Sequence, residues 1–103
     1  MYLCNRMRII SKKTLRDFWE NHADSRKDLE EWYGIAFKSD WFSPQAIKQT
    51  FPKASIVANN RVVFNILVGN YRLIVMFAYR TRIGYIRFIG THKAYDKIDA
   101  SEI

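Results

Sequence analysis

The stretch Arg61–Asp99, RVVFNILVGNYRLIVMFAYRTRIGYIRFIGTHKAYDKID, reads as three strands followed by a short helix. Val62, Phe64 and Ile66 share one face of the first strand, Leu73, Val75 and Phe77 one face of the second, and Ile86 and Phe88 one face of the third. The opposite faces carry Arg61, Val63 and Asn65; Arg72, Ile74 and Met76; and Tyr85, Arg87 and Ile89. One side of the sheet is therefore apolar and needs a cover, while the other gathers guanidinium groups. A cluster of His92, Lys93, Tyr95 and Asp96 follows directly at its edge. Several arginines on one face suit a phosphate polyanion, because each offers a planar fork of donors to phosphate oxygens.

Turn chemistry constrains how these strands pair. Either two-residue turn near Val68-Gly69-Asn70 pairs even positions of the first strand with odd positions of the second, which sets Phe64 beside Leu73 or Val75. The tighter turn, at Val68-Gly69, puts Asn65 directly opposite Arg72. A two-residue turn at Thr81-Arg82 places Arg72 across from Thr91 and Met76 across from Arg87. Arg61, Asn65, Arg72 and Arg87 face the same way in every one of these registers.

The cover comes from upstream. Met7-Arg8-Ile9-Ile10 is a short strand ahead of Ser11, a good N-cap. Leu15, Phe18, Trp19 and His22 then form the apolar stripe of an amphipathic helix, with His22 near its end. Ser25 followed by Asp28 opens a second helix, striped by Leu29, Trp32, Tyr33, Ala36 and Phe37. These aromatics read as core rather than as stacking platforms. The short link makes the two helices an antiparallel hairpin. Ser43-Pro44, an N-cap followed by Pro at the first helical position, starts a single short helix that ends near Phe51-Pro52. Ala58-Asn59-Asn60 reads as a turn.

The 103 residues suffice for one domain, spanning residues 1–103 with 1–6 as a short extension, and for a core burying roughly 60–65% of the unfolded surface. Hydrophobic residues make up 49% of the chain and aromatics 16%, which argues against disorder. The longest apolar run, Leu73–Tyr79, falls far short of the roughly 20 residues that span a bilayer, so no membrane partner is expected. No secretory signal is evident, and the single cysteine, Cys4, allows neither an internal disulfide nor a cysteine-cluster metal site; a cytoplasmic location is expected. Net charge is +7, and it is uneven. Residues 1–52 hold nine Lys/Arg against seven Asp/Glu, and residues 53–103 hold eight against three. The excess lies on the strands, which favours an anionic partner such as nucleic acid or an acidic protein.

Several chemistries lack their motifs. There is no HExxH for a metal, no GxSxG for a serine hydrolase, and no GxGxxG or P-loop for a nucleotide, so no metal and no cofactor are expected. His92, Tyr95, Asp96 and Asp99 stand at i, i+3, i+4 and i+7 and can share one face of a C-terminal helix. Metal-free RNA cleavage fits better: it needs a base for the ribose 2′-OH, cations for the phosphate, and an acid for the leaving 5′-oxygen. Arginines supply the second, and His or Tyr the proton transfers, with a phenolate favoured beside several cations. The plainer alternative has Arg72 and Arg87 pairing with surface acids and Tyr95 capping the core.

The segments MRIISKKTLRDFWE (7–20), RVVFNI (61–66), YRLIV (71–75) and YIRFIGTHKAYDKIDA (85–100) resemble the HigB-type mRNA interferase toxins, a branch of the RelE/ParE toxin–antitoxin superfamily. The likeness runs from about Met7 to Ala100, and GTHKAYDKID after an R-x-F strand is its specific part. It implies an α+β fold: two N-terminal helices on a small twisted, mainly antiparallel sheet, with a short C-terminal helix. It also implies an endoribonuclease acting on translated mRNA at the ribosome. The partner is then a HigA-type helix-turn-helix antitoxin, whose complex with the toxin binds operator DNA. On this resemblance Arg72 and Arg87 hold the phosphate, His92 and Tyr95 transfer protons, Lys93 and Arg61 contact the RNA backbone, and Asn65 orients Arg72. A ribosome- or RNA-binding module without chemistry, and a ParE-like gyrase inhibitor, are the alternatives; the HKAYD cluster counts against the latter.

Overall fold

The computed structural model describes residues 6–103, so all but one residue of the expected 1–6 extension lies outside the described residues. Its elements are β1 (Arg8–Ile10), α1 (Lys12–Asn21), a 3-10 turn (Ala23–Ser25), α2 (Arg26–Lys38), α3 (Pro44–Thr50), β2 (Ser55–Val57), β3 (Arg61–Ile66), β4 (Tyr71–Ala78), β5 (Ile83–Thr91) and α4 (His92–Tyr95). The strands form one sheet in the order β1-β5-β4-β3-β2. β1 runs parallel to β5 and every other pairing is antiparallel. This is the expected α+β architecture.

The apolar stripes do what their periods require. Leu15 and Trp19 of α1, Leu29, Trp32 and Ala36 of α2, and Ile47 of α3 bury against Val62, Phe64, Ile66, Leu73, Val75 and Phe77 of the sheet. Phe64 sits at the centre, with its ring 5.2 Å from Trp32, 5.3 Å from Phe51 and 6.3 Å from both Trp41 and Phe77. Burying such a side chain contributes about 1.5–3 kcal/mol, and offset or edge-on ring pairs add to it. Phe37 departs from the expected core: it lies on the outer side of α2 and is 43% exposed. Among the described residues no helix is long and apolar enough to cross a membrane.

Helix starts follow the sequence signals unevenly. Ser43 caps α3 as expected, its Oγ accepting from Ala46 N at 3.2 Å. Ser11 and Ser25 precede α1 and α2 without capping them. Ser25 Oγ instead donates to His22 O, and Asp28 is used elsewhere. The three-residue β2 is too short to stand out in the sequence; it exists because Val63, Val62 and Arg61 offer it an edge.

Of the two β3–β4 registers considered, the structure has that of the tighter turn, with Phe64 opposite Leu73 and Asn65 opposite Arg72. The β4–β5 register differs. Arg72 faces Gly90 rather than Thr91, and Met76 faces Tyr85 rather than Arg87. Two features cause the shift. The link is four residues, Tyr79–Arg82, closed by Arg82 in left-handed backbone (φ 60°) and held there by Asp40 and Tyr79 O. A β-bulge then falls at Ile74/Val75, where Arg87 is the extra residue. Beyond the bulge the parity of β5 flips. Ile86 and Ile89 pair with Val75 and Leu73 on the helix side, and Phe88 pairs with Ile74 on the outer side, which reverses the expected faces of Phe88 and Ile89.

Candidate active site

The outer face ends, near the β3–β4 turn, in a row of Asn65, Arg72 and Gly90. The turn itself holds three consecutive residues in left-handed backbone, Leu67 (φ 54°), Val68 (φ 54°) and Gly69 (φ 93°). For Leu and Val this conformation costs about 1–2 kcal/mol each, so the surroundings must impose it. They do so through the start of the α2 segment. Asp28 accepts from Leu67 N at 2.9 Å, and Asp24 accepts from the Tyr71 hydroxyl at 2.7 Å. That second bond raises the Tyr71 pKa above the ordinary tyrosine value, with burial and the Asp24 charge adding to it.

The shape of the turn sets Arg72. Its Nη1 donates to Gly69 O, and a Cβ on Gly69 would lie only 3.2 Å from that nitrogen. Its guanidinium centre stands 5.7 Å from the Tyr95 ring centroid, a cation over an aromatic face. Gly90 serves the same row, since a Cβ there would meet the Phe88 ring at 2.6 Å. Among the described residues no Asp or Glu side chain comes within ion-pair distance of Arg72, Arg61 or Arg87.

Helix α4 is one turn long and is fixed at its first residue. Thr91 Oγ1 accepts from Ala94 N, and His92 N donates to Asn70 O in the β3–β4 turn. Within that turn of helix His92 Nδ1 lies 3.1 Å from Asp96 Oδ2, with both side chains more than half exposed. A carboxylate thus stands beside Nδ1, and Nε2 is the ring's second proton-transfer atom. Asp99 does not continue this face, because the helix ends before it. Its carboxylate accepts from Ser101 N and Oγ instead, and those bonds hold its pKa below the usual carboxylate range.

The expected residues thus divide in two. Asn65, Arg72, His92 and Tyr95 gather around the β3–β4 turn, and Lys93 stands exposed beside them. Arg61 and Arg87 lie further along the sheet and converge on the chain that follows α4. Arg61 Nε and Nη2 donate to Ile103 O at 3.2 and 2.7 Å, and Arg87 Nε reaches the same oxygen at 3.4 Å. Asp24, Asp28, Gly69 and Tyr71 were not anticipated, and they shape the turn that holds Arg72. Only Gly69 carried a sequence signal, as a turn glycine. Next to Asn65 a half-open cavity of about 490 Å³ is lined by Phe51, Pro52, Lys53 and Val68 among others.

Comparison with known proteins adds a family. Residues 25–98 match the family described as HigB_toxin, RelE-like toxic component of a toxin-antitoxin system. The "mRNA interferase toxin HigB" of Escherichia coli (strain K12) is 27% identical over 92 residues, covering 87% of this chain and 88% of that protein. The "mRNA interferase HigB" proteins of Escherichia coli O157:H7 and Shigella flexneri match at the same identity and coverage.

Proposed function

This chain belongs to the HigB toxin family, the RelE-like toxic components of toxin–antitoxin systems, and from that premise we propose that it is an endoribonuclease that cuts translated mRNA on the ribosome. The observation that carries this reading is an arginine with no acidic partner, Arg72, set by Gly69 O and Tyr95 beside a His92–Asp96 pair. Phosphoryl transfer needs little else from a protein: cations where charge gathers on the non-bridging oxygens, and groups that move two protons.

In the proposed step the ribose 2′-oxygen attacks the adjacent phosphorus and the bond to the 5′-oxygen breaks. A 2′,3′-cyclic phosphate and a 5′-hydroxyl result. The 2′-OH proton passes to one of His92 and Tyr95, and the other protonates the leaving oxygen. Arg72 holds the phosphate, and Asp96 keeps the imidazole in place. Lys93 contacts the RNA backbone, Asn65 orients Arg72, and the cavity beside Asn65 has room for a nucleobase against Phe51. Arg61 and Arg87 extend the cationic track to neighbouring phosphates. As the toxic component of its system the chain has an antitoxin partner. We place a HigA-type helix-turn-helix protein in that role, with operator DNA bound through the complex and the toxin acting in the cytoplasm.

Brief induction followed by transcript 5′-end mapping tests the reading. New ends inside translated frames are expected with the wild type, reduced about 10²–10⁴-fold in His92→Ala and Tyr95→Ala. Growth arrest without new ends would refute cleavage and point to ribosome occlusion or gyrase inhibition.

A further inference from the structure

Helix α2 packs inward through Leu29, Trp32 and Ala36. Its residues Glu31, Gly34, Ile35 and Lys38 stand at i, i+3, i+4 and i+7 and together line an open hollow of about 310 Å³. A glycine inside a helix weakens it relative to alanine, and nothing in this fold requires one here: a Cβ on Gly34 would meet no atom within 4 Å. What a bare backbone does offer is close approach by another chain. Ile35, beside it, is 41% exposed. The hollow continues toward the Arg72 row. Glu31 and Ile35 also line a cavity of about 160 Å³ with Phe51 and Asn65, and those two in turn line the 490 Å³ cavity described above. The three share walls and make one groove from Lys38 to Val68, whose side chain is fully exposed at the far rim.

The groove's chemistry suits a peptide. β2 reaches only to Ser55, opposite Val63, so the Phe64–Ile66 stretch of β3 has no strand on that edge. An uncovered edge is satisfied by an added extended chain. Along the groove Lys38, Glu31 and Lys53 follow one another, and among the described residues none of them has an ion-pair partner. A phosphate at every step of a nucleic acid would meet repulsion at Glu31, whereas a polypeptide can place opposite charges at each of the three positions. A protein partner is also what membership among the toxic components of toxin–antitoxin systems supplies.

We infer that this groove is the docking site of the antitoxin, which lays an extended segment along it, with apolar side chains over Gly34 and Ile35 and charges opposite in sign to Lys38, Glu31 and Lys53. The end of that segment fills the cavity beside Asn65 and so excludes a nucleobase from it. The docking rests on the toxin family alone; the block on cleavage rests also on the RNA reading above. Neutralisation then works by occupying the substrate's place next to Arg72 and leaves the turn that carries Arg72 intact.

The test is calorimetric titration of the purified toxin with its cognate antitoxin, with hydrogen exchange measured on the complex. Gly34→Arg fills the hollow and Ile35→Asp puts a charge on its apolar wall; neither residue belongs to the Arg72 row. Both variants are expected to bind the antitoxin about 30-fold or more weakly, the scale of losing a central interface residue. Each should still arrest growth, and arginine, a better helix former than glycine, should not lower the melting temperature of the toxin alone. In the wild-type complex the amides of residues 34–38 and 64–68 should exchange more slowly than in the free toxin. Antitoxin affinity equal to the wild type in both variants, with protection confined to other segments, overturns the inference. So does a change in the toxin's own oligomeric state with antitoxin affinity kept, since the groove then belongs to a second copy of this chain. If both variants lose the antitoxin while the wild-type toxin makes no transcript cuts, the docking stands and the RNA reading falls.

Discussion

The two faces of β4 are built on different physical terms. On the helix side Leu73, Val75 and Phe77 are fully buried among aromatic rings, and their contribution is apolar area removed from water. On the outer side only Ile74 is buried, while Arg72 and Met76 remain partly open. What orders Arg72 is directional: Gly69 O, the Tyr95 face, and a turn strapped to the start of α2 by Asp24 and Asp28. Area burial tolerates small rearrangements and supplies stability. Directional contacts supply little net stability but define where a charge points. One strand thereby anchors the fold with its odd positions and presents the site with its even ones.

That contrast can be broken from either side. Phe64→Ala should have the largest effect, a loss of about 3–5 kcal/mol, because it empties the centre of the aromatic cluster. Chemical denaturation measures it, and a loss under about 1 kcal/mol would show that the core is not organised around this ring. Arg72→Ala should do the reverse. Cleavage should fall about 10²–10³-fold, the scale for removing one preorganised electrostatic contact, with the melting temperature nearly unchanged. A melting temperature that falls along with activity would mean that the outer face is also structural.

The smallest effect sharpens the link between the faces. Tyr71 is a weaker acid in the folded protein than in the unfolded chain, since its hydroxyl donates to Asp24. Stability from that bond is fully present below the ordinary tyrosine pKa of about 10 and is lost as pH rises through the higher folded value. Denaturation midpoints of the wild type should therefore fall more steeply than those of Tyr71→Phe above about pH 10. Parallel profiles would show that the strap does not bear on stability.

Much of the fold was legible from local pattern. The β3–β4 pairing could be read because every turn considered gave the same parity, so that Phe64 met an apolar partner in each. The β4–β5 pairing could not. The alternation of Tyr85-Ile86-Arg87-Phe88-Ile89 runs on without a break, and nothing in those residues marks Arg87 as a bulge. Ser25 and Asp28 look like a local helix start, yet Asp28 is committed to Leu67 N, 39 residues away. The motif His92-Lys93-Ala94-Tyr95-Asp96 announced itself, but the division of the arginines did not.

The sequence by itself determined which residues would be apolar and which cationic on each strand, where three helices would lie, and that a His/Tyr motif would follow the last strand. Periods of two and of about 3.6, together with a few residue types at turns, carry that information within short windows. The tertiary structure decided which cations act together. Arg72 joins Tyr95 and His92 through a turn held by α2, whereas Arg61 and Arg87 close on Ile103, 42 and 16 residues further along the chain. Such groupings depend on register, on one bulge and on hydrogen bonds between distant segments. Only the packed chain brings those partners within hydrogen-bonding reach of each other.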